Sequence, residues 1–268
     1  MRSARLVKAH AYGNDFLIAP EPLAPGTDEA AFARAVCHRH HGIGADGLMF
    51  VQRHGGGARM RLFNADGSRS EVSGNGVRCI AAWIAMDQGL SPGAEVVVET
   101  DAGPKSSVLT AVSDSRLTFR ASMGEPTEVR QVELTAAGEL VNAVVLRVGN
   151  PQCVVLGAVT EERLHRLGGA LAVHPFFPEG TNVEFANVEA ADRVRILIWE
   201  RGVGPTSSSG TGTCAAAVAA IRYGGANRTL LVSAPGGSQQ VEWTDAGLFL
   251  TGWAEVVADI DWPHSVRN

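Results

Sequence analysis

Long apolar runs are missing from this 268-residue sequence, and none reaches the roughly 18 residues that a membrane-crossing helix needs. The opening stretch MRSARLVKAHAYGNDF lacks the apolar core of a secretion signal, so a cytoplasmic protein with no membrane partner is expected. An excess of cations is missing as well. Lys and Arg number 23 against 28 Asp and Glu, and no basic patch interleaves with aromatics, which argues against a nucleic-acid partner. The only cysteines are Cys37, Cys79, Cys153 and Cys214, and none stands in CxxC spacing. A disulfide framework or a zinc site is therefore not expected, and the thiols read as reduced. The cluster CHRHH (37–41) ends a helical pattern just before GIGADG, where basic side chains suit last-turn carbonyls, so no metal is assigned there. Neither GxGxxG spacing nor a Walker lysine follows Ser73 or Ser209, so no nucleotide cofactor is expected there either.

What the chain does have is glycine and repetition. Thirty-one glycines imply many tight turns and backbone-lined sites. Ser73 and Ser209 stand 136 positions apart, and the same offset links Asn14 with Asn150, Gly44 with Gly180, Asp46 with Asn182, and Asn64 with Glu200. The strand-like MRLFN and ILIWE match in the same way, each closing on a polar residue. Two homologous half-domains, 1–122 and 123–268, are expected around a pseudo-twofold axis, with the last strand able to pack back on the first half. Their shared site is expected where the halves meet.

Each half reads as short strands separated by turns, with few helices. GVRCIAAWIAMDQG and GTCAAAVAAIRYGG differ from the amphipathic norm, being apolar on nearly every face and ending at glycine. Such a helix is buried all round, so a sheet wrapped around a central helix is expected in each half.

A helix N-terminus offers unsatisfied amides and partial positive charge, and glycines 74, 76, 210 and 212 let a ligand approach. With no phosphate-binding lysine nearby, a carboxylate is the expected ligand. Ser73 and Ser209 would flank it from opposite faces, as an inversion at one carbon requires: one group removes a proton and the other returns it. Asn14, Asn64, Asn150, Asn182, Glu200 and Arg201 would line the rest, with Glu200 suited to an ammonium group and Arg201 to a second carboxylate.

The segments GNDF, GIGADG, FNADGS, GNGVRC, MGEP, GNPQCV, GTNVEF, ERGVGPT, SGTGTCAAA and APGG occur in this order over nearly the whole chain. Together they resemble the diaminopimelate epimerase family. The resemblance implies an α+β fold of two half-domains, each a β-barrel-like sheet around a central helix. It also implies conversion of LL-diaminopimelate to the meso form without a cofactor, in a homodimer. Carried over, Asn14, Asn64, Asn150, Asn182, Glu200 and Arg201 match substrate-contacting positions. Gly74, Asn75, Gly210 and Thr211 match the amides that hold the α-carboxylate, and Asp66 falls in the active-site neighbourhood.

The chain departs from the pattern at its chemical centre. The family's two bases are cysteines; here both positions are serine, Ser73 and Ser209, and Gln152 stands where a supporting histidine usually follows the second GNP. A thiol titrates near 8.5 and a helix N-terminus lowers it, whereas a hydroxyl stays protonated without an adjacent base. Cys79 and Cys214 lie more than a turn inside the helices and read as packing residues. The serines thus read either as catalytic groups or as helix caps. The functions left open are an epimerase, a lyase or isomerase acting on a related amino acid, and a silent binder arisen naturally or by Cys→Ser replacement.

Overall fold

The computed structural model describes residues 3–20, 23 and 26–263, so the outermost residues of both expected halves lie outside the described residues. The chain divides into two compact units: the first runs up to Ala121 and resumes from Trp253, and the second is Ser122–Gly252.

The first unit contains β1 (Ser3–Ala11), β2 (Asn14–Ala19), α1 (Glu29–Cys37), β3 (Gly47–His54), β4 (Gly57–Asn64), β5 (Arg69–Ser70), α2 (Gly74–Gln88), β6 (Glu95–Thr100), β7 (Gly103–Ser113) and most of β8 (Arg116–Gly124). Residues 253–263 of the last strand also belong to it. Pairing runs β1–β2 antiparallel, β2–β3 parallel, β3–β4 antiparallel, β4–β6 parallel, then β6–β7 and β7–β8 antiparallel. The last strand pairs with both β1 and β8, which closes an eight-stranded ring. Parallel neighbours need a crossover, and here each crossover carries a helix. α1 packs outside on β3 and β4, while α2 lies against β1, β2, β6 and β7.

Their sequences account for the difference. Residues 75–85 of α2 are buried without interruption. The helix stops at Gly89, whose left-handed backbone (φ 62°) lets its N–H reach the carbonyls of Ala85 and Met86. α1 buries only Phe32, Ala33, Val36 and Cys37, and Asp28 caps it by accepting the N–H groups of Ala30 and Ala31.

The second unit repeats this order. It contains β9 (Thr127–Ala136), β10 (Glu139–Val148), β11 (Asn150–Leu156), α3 (Glu161–Ala172), β12 (Asn182–Ala190), β13 (Arg193–Glu200), β14 (Gly204–Thr206), α4 (Gly210–Tyr223), β15 (Thr229–Ala234), β16 (Gly237–Thr244) and residues 247–252 of β17 (Gly247–Pro263). β11–β12 and β13–β15 are its parallel steps. α4 packs against β10, β11, β12, β13, β15 and β16, and its run of alanines (215–217, 219, 220) is wholly buried. Small side chains let this helix lie close to the surrounding strands. The mixed α+β fold and the central apolar helix of each half are thus as the sequence implied.

One pairing from the sequence repeat is off by a residue. Phe16 faces Gly47 across β2–β3, whereas its counterpart Gln152 faces Asn182 across β11–β12. Asn182 therefore stands where Gly47 does, not where Asp46 does, and Glu184 where Met49 does. The offset drops to 135 in β12, and a bulge between Val188 and Ala190 restores 136 in β13.

Candidate active site

In the first unit Ser73 is the N-cap of α2. Its Oγ accepts the Gly76 N–H at 3.1 Å, with extended backbone at the cap (φ −130°, ψ 123°). Gly74 opens the helix with open space around its α-carbon. Asn75 is buried and its Nδ2 donates to Asn14 Oδ1 (3.2 Å). Asn14 in turn donates to Asp46 Oδ2 (2.7 Å), which also accepts the Asp15 N–H. Arg39 bridges Asp15 and Asp46 at 2.8 and 2.6 Å, and Lys8 bonds Asp15. Burial opposes ionisation of Asp15, but the bonds from Arg39 and Lys8 hold its carboxyl down at about 2. Asp46 and Arg39 were not among the expected site residues, yet they fix the amide of Asn14. Their signal lay in GIGADG, read as a repeat partner and a family segment, and in CHRHH, read as a helix end.

Asn64 ends β4 exposed and donates to Ser68 Oγ (3.0 Å). Asp66 accepts the Ser68 N–H (2.8 Å), and the Ser68 bonds keep its carboxyl ionised below the usual range. In this structure Asp66 organises its own turn.

The second unit builds the same cap. Ser209 Oγ accepts the Gly212 N–H at 3.2 Å at the start of α4, with Gly210 and Thr211 in the first turn. Asn150 Oδ1 accepts from Gln152 Nε2 (2.6 Å), and Asn182 Oδ1 accepts the backbone N–H of Arg201 (2.9 Å). The Arg201 guanidinium is exposed and donates to the Glu179 carbonyl (2.7 Å). Cys79 and Cys214 are wholly buried, and burial pushes the Cys79 thiol up to about 12. Neither thiol replaces the missing pair.

Strand alternation brings further groups to this half-site. On β12, Val183 and Phe185 pack in the α3 core, while Ala186 belongs to the α4 core. Asn182 and Glu184 therefore face α4. On β11, Val154 faces the same way, and so does Gln152 two residues earlier. On β13, Ile196 and Ile198 do, and so does Glu200. Glu184 is 0% exposed, and neither carboxyl oxygen has a hydrogen-bond partner among the described residues. It lies beneath the first turn of α4: a Cβ added at Gly212 would sit 2.5 Å from Glu184 Oε1. Burial first, and the nearby charge of Glu200 second, push its carboxyl well above the usual range. Glu184 was missed from sequence although it lies within GTNVEF. The equivalent contact in the first unit is apolar, since a Cβ at Gly76 would meet Met49 Sδ at 2.9 Å.

Each unit presents a glycine-opened helix N-terminus capped by serine; the chain's relatives by sequence make it an isomerase of the epimerase and racemase class. The sequence model for diaminopimelate epimerase matches residues 6–129 and 144–257. The chain belongs to the diaminopimelate epimerase family. It is 39% identical to the diaminopimelate epimerase of Desulforudis audaxviator, over 95% of this chain and 98% of that one. It is likewise 39% identical to that of Moorella thermoacetica, over 96% and 98%. Among solved structures the fold is shared with a predicted epimerase from Pseudomonas aeruginosa (14% identity, TM-score 0.75, covering 98% of this chain and 100% of that one). It is also shared with a hydroxyproline epimerase from Agrobacterium vitis (18%, TM-score 0.66, covering 97% and 91%).

Proposed function

We propose that this protein interconverts LL- and meso-diaminopimelate without a cofactor, by proton exchange at the α-carbon. The observation that carries this reading is the duplicated cap: Ser73 and Ser209 each hold the N3 amide of a buried helix. The glycine-opened first turns, beginning at Gly74 and Gly210, supply amide donors and positive dipole ends for the α-carboxylate. Asn75 and Thr211 complete these turns. The half-domains 1–122 and 123–268 each contribute one half-site, and both serines must reach one α-carbon. Asn14, Asn64, Asn150, Asn182, Glu200 and Arg201 take the remaining amino and carboxylate groups, with Gln152 and Asp66 in support. A cytoplasmic homodimer binding no nucleic acid belongs to the same reading.

A second reading has its own support. Both hydroxyls already serve as caps, at 3.1 and 3.2 Å, which is what a carboxylate binder without catalysis would keep. Proton NMR in D2O separates the two. LL-diaminopimelate incubated with the enzyme should lose its α-hydrogen signal, whereas binding with an unchanged signal after long incubation would establish the silent binder.

A further inference from the structure

The two half-sites share a cap but not a lining. Around α4 the inward positions on β11, β12 and β13 are Gln152, Asn182, Glu184 and Glu200. By strand register their counterparts around α2 are Phe16, Gly47, Met49 and Asn64. Ser209 thus has a buried carboxyl on its own helical turn, and Ser73 has a thioether in the same place.

Nothing in the fold requires a carboxyl there. Among the described residues Glu184 makes no ion pair and both its oxygens are unpartnered, and methionine fills the equivalent space in the first unit. A buried, unpaired carboxyl is costly, and packing alone would favour an apolar residue. The described groups facing it are Glu200 from β13, Gln152 from β11 and the Gly212 turn of α4; Cys153 of β11 lies close on the opposite face. None of these is a cation, so no described residue holds Glu184 permanently ionised, and it is able to take up and release a proton.

Building on the epimerase reading, we infer that Glu184 is the proton-holding group behind Ser209, a positioning residue that acts through that hydroxyl across the Gly212 turn. When the α C–H bond breaks, its proton passes to Ser209 Oγ as the Oγ proton passes to the Glu184 carboxylate, the two groups first closing to hydrogen-bond distance, since neither Glu184 oxygen is bonded in this structure. The electron pair stays on the substrate as its enolate. Reversal on the same face restores the starting configuration. Ser73 has no such reservoir, so protons come and go on the Ser209 face more readily than on the other. The consequence is isotope exchange with retention that outruns inversion.

The experiment incubates LL- and meso-diaminopimelate separately with the full chain in D2O. NMR follows α-deuteration, and chiral chromatography follows the stereochemical outcome, across a pH series. One diastereomer should take up deuterium with retention faster than it inverts, and this exchange should rise with pH as the Glu184 carboxylate forms. Glu184→Gln and Glu184→Met should each lose about 100-fold of the retention exchange, as removal of an acid–base group does, and lose its pH rise. The Met variant copies the packing at Met49, so its folding, checked by circular dichroism, separates structural from chemical loss. Equal retention and inversion in the wild type, or a ratio unmoved in a folded Glu184→Met, overturns the role of Glu184 and leaves the epimerase reading standing. No exchange with either diastereomer at any pH overturns both.

Discussion

Gly212→Ala tests the position of Glu184 directly. Gly212 has ordinary helical backbone, so its lack of a side chain serves space rather than conformation. An added Cβ would lie 2.5 Å from Oε1, 3.1 Å from Cδ and 3.3 Å from Cγ of Glu184. The carboxyl cannot swing into water, because Glu184 is 0% exposed between α3 and α4. Overpacking of this kind costs about 1–3 kcal/mol, offset by about 1 kcal/mol of helix propensity gained on replacing glycine by alanine. The net expectation is a loss of up to about 2 kcal/mol. At Gly74 a Cβ meets nothing within 4 Å, so Gly74→Ala should be neutral or stabilising. Urea denaturation of both variants measures the contrast, and repeating Gly212→Ala in a Glu184→Ala background should recover about 1 kcal/mol as coupling. A Gly212→Ala that stabilises by the full ~1 kcal/mol of helix propensity, or a cost unchanged without the Glu184 carboxyl, would refute the placement.

Three further outcomes follow from the same contacts. Ser73→Ala and Ser209→Ala should each cost about 1 kcal/mol of stability through the lost cap, read by urea titration; Ser209→Ala should abolish the retention exchange on its face, and Ser73→Ala should abolish inversion. Asp15 is held at about 2, below its ordinary 3.8, so its stabilising contribution of about 2 kcal/mol is present above pH ~4 and is lost as pH falls towards 2; Asp15→Asn should flatten that acid limb in melting curves. Glu184 keeps its proton in the folded chain where the unfolded chain has lost it, so stability should fall as pH rises through its raised value, and Glu184→Gln should remove the slope.

Much of the site was legible because it is written locally. Ser-Gly-x-Gly ahead of an apolar run fixes both a cap and a helix start, and α2 and α4 begin at Gly74 and Gly210 as that pattern requires. β4 and β13 span 57–64 and 193–200, keeping the 136 offset throughout. The β12 register was not legible, because a residue lost ahead of that strand is returned by the bulge near Glu189, so the count on either side is unchanged. Glu184 escaped for a tertiary reason. In NVEFANVEA a glutamate ordinarily marks the solvent face, and only α3 and α4 packing on both faces of β12 buries it. The bonding of Asp46 and Arg39 was hidden similarly, since their partners Asn14 and Asp15 lie on a strand 31 or more and 24 positions away.

The central claim is that these half-sites remain built for epimerisation, with hydroxyls standing where thiolates would act. Restoring both thiols, Ser73→Cys with Ser209→Cys, and measuring LL-to-meso conversion of diaminopimelate is the most direct test. A helix N-terminus favours a thiolate, so the double variant should gain about 100-fold or more over the serine form. A folded double-cysteine protein that binds diaminopimelate and still leaves its α-hydrogen untouched would contradict the account.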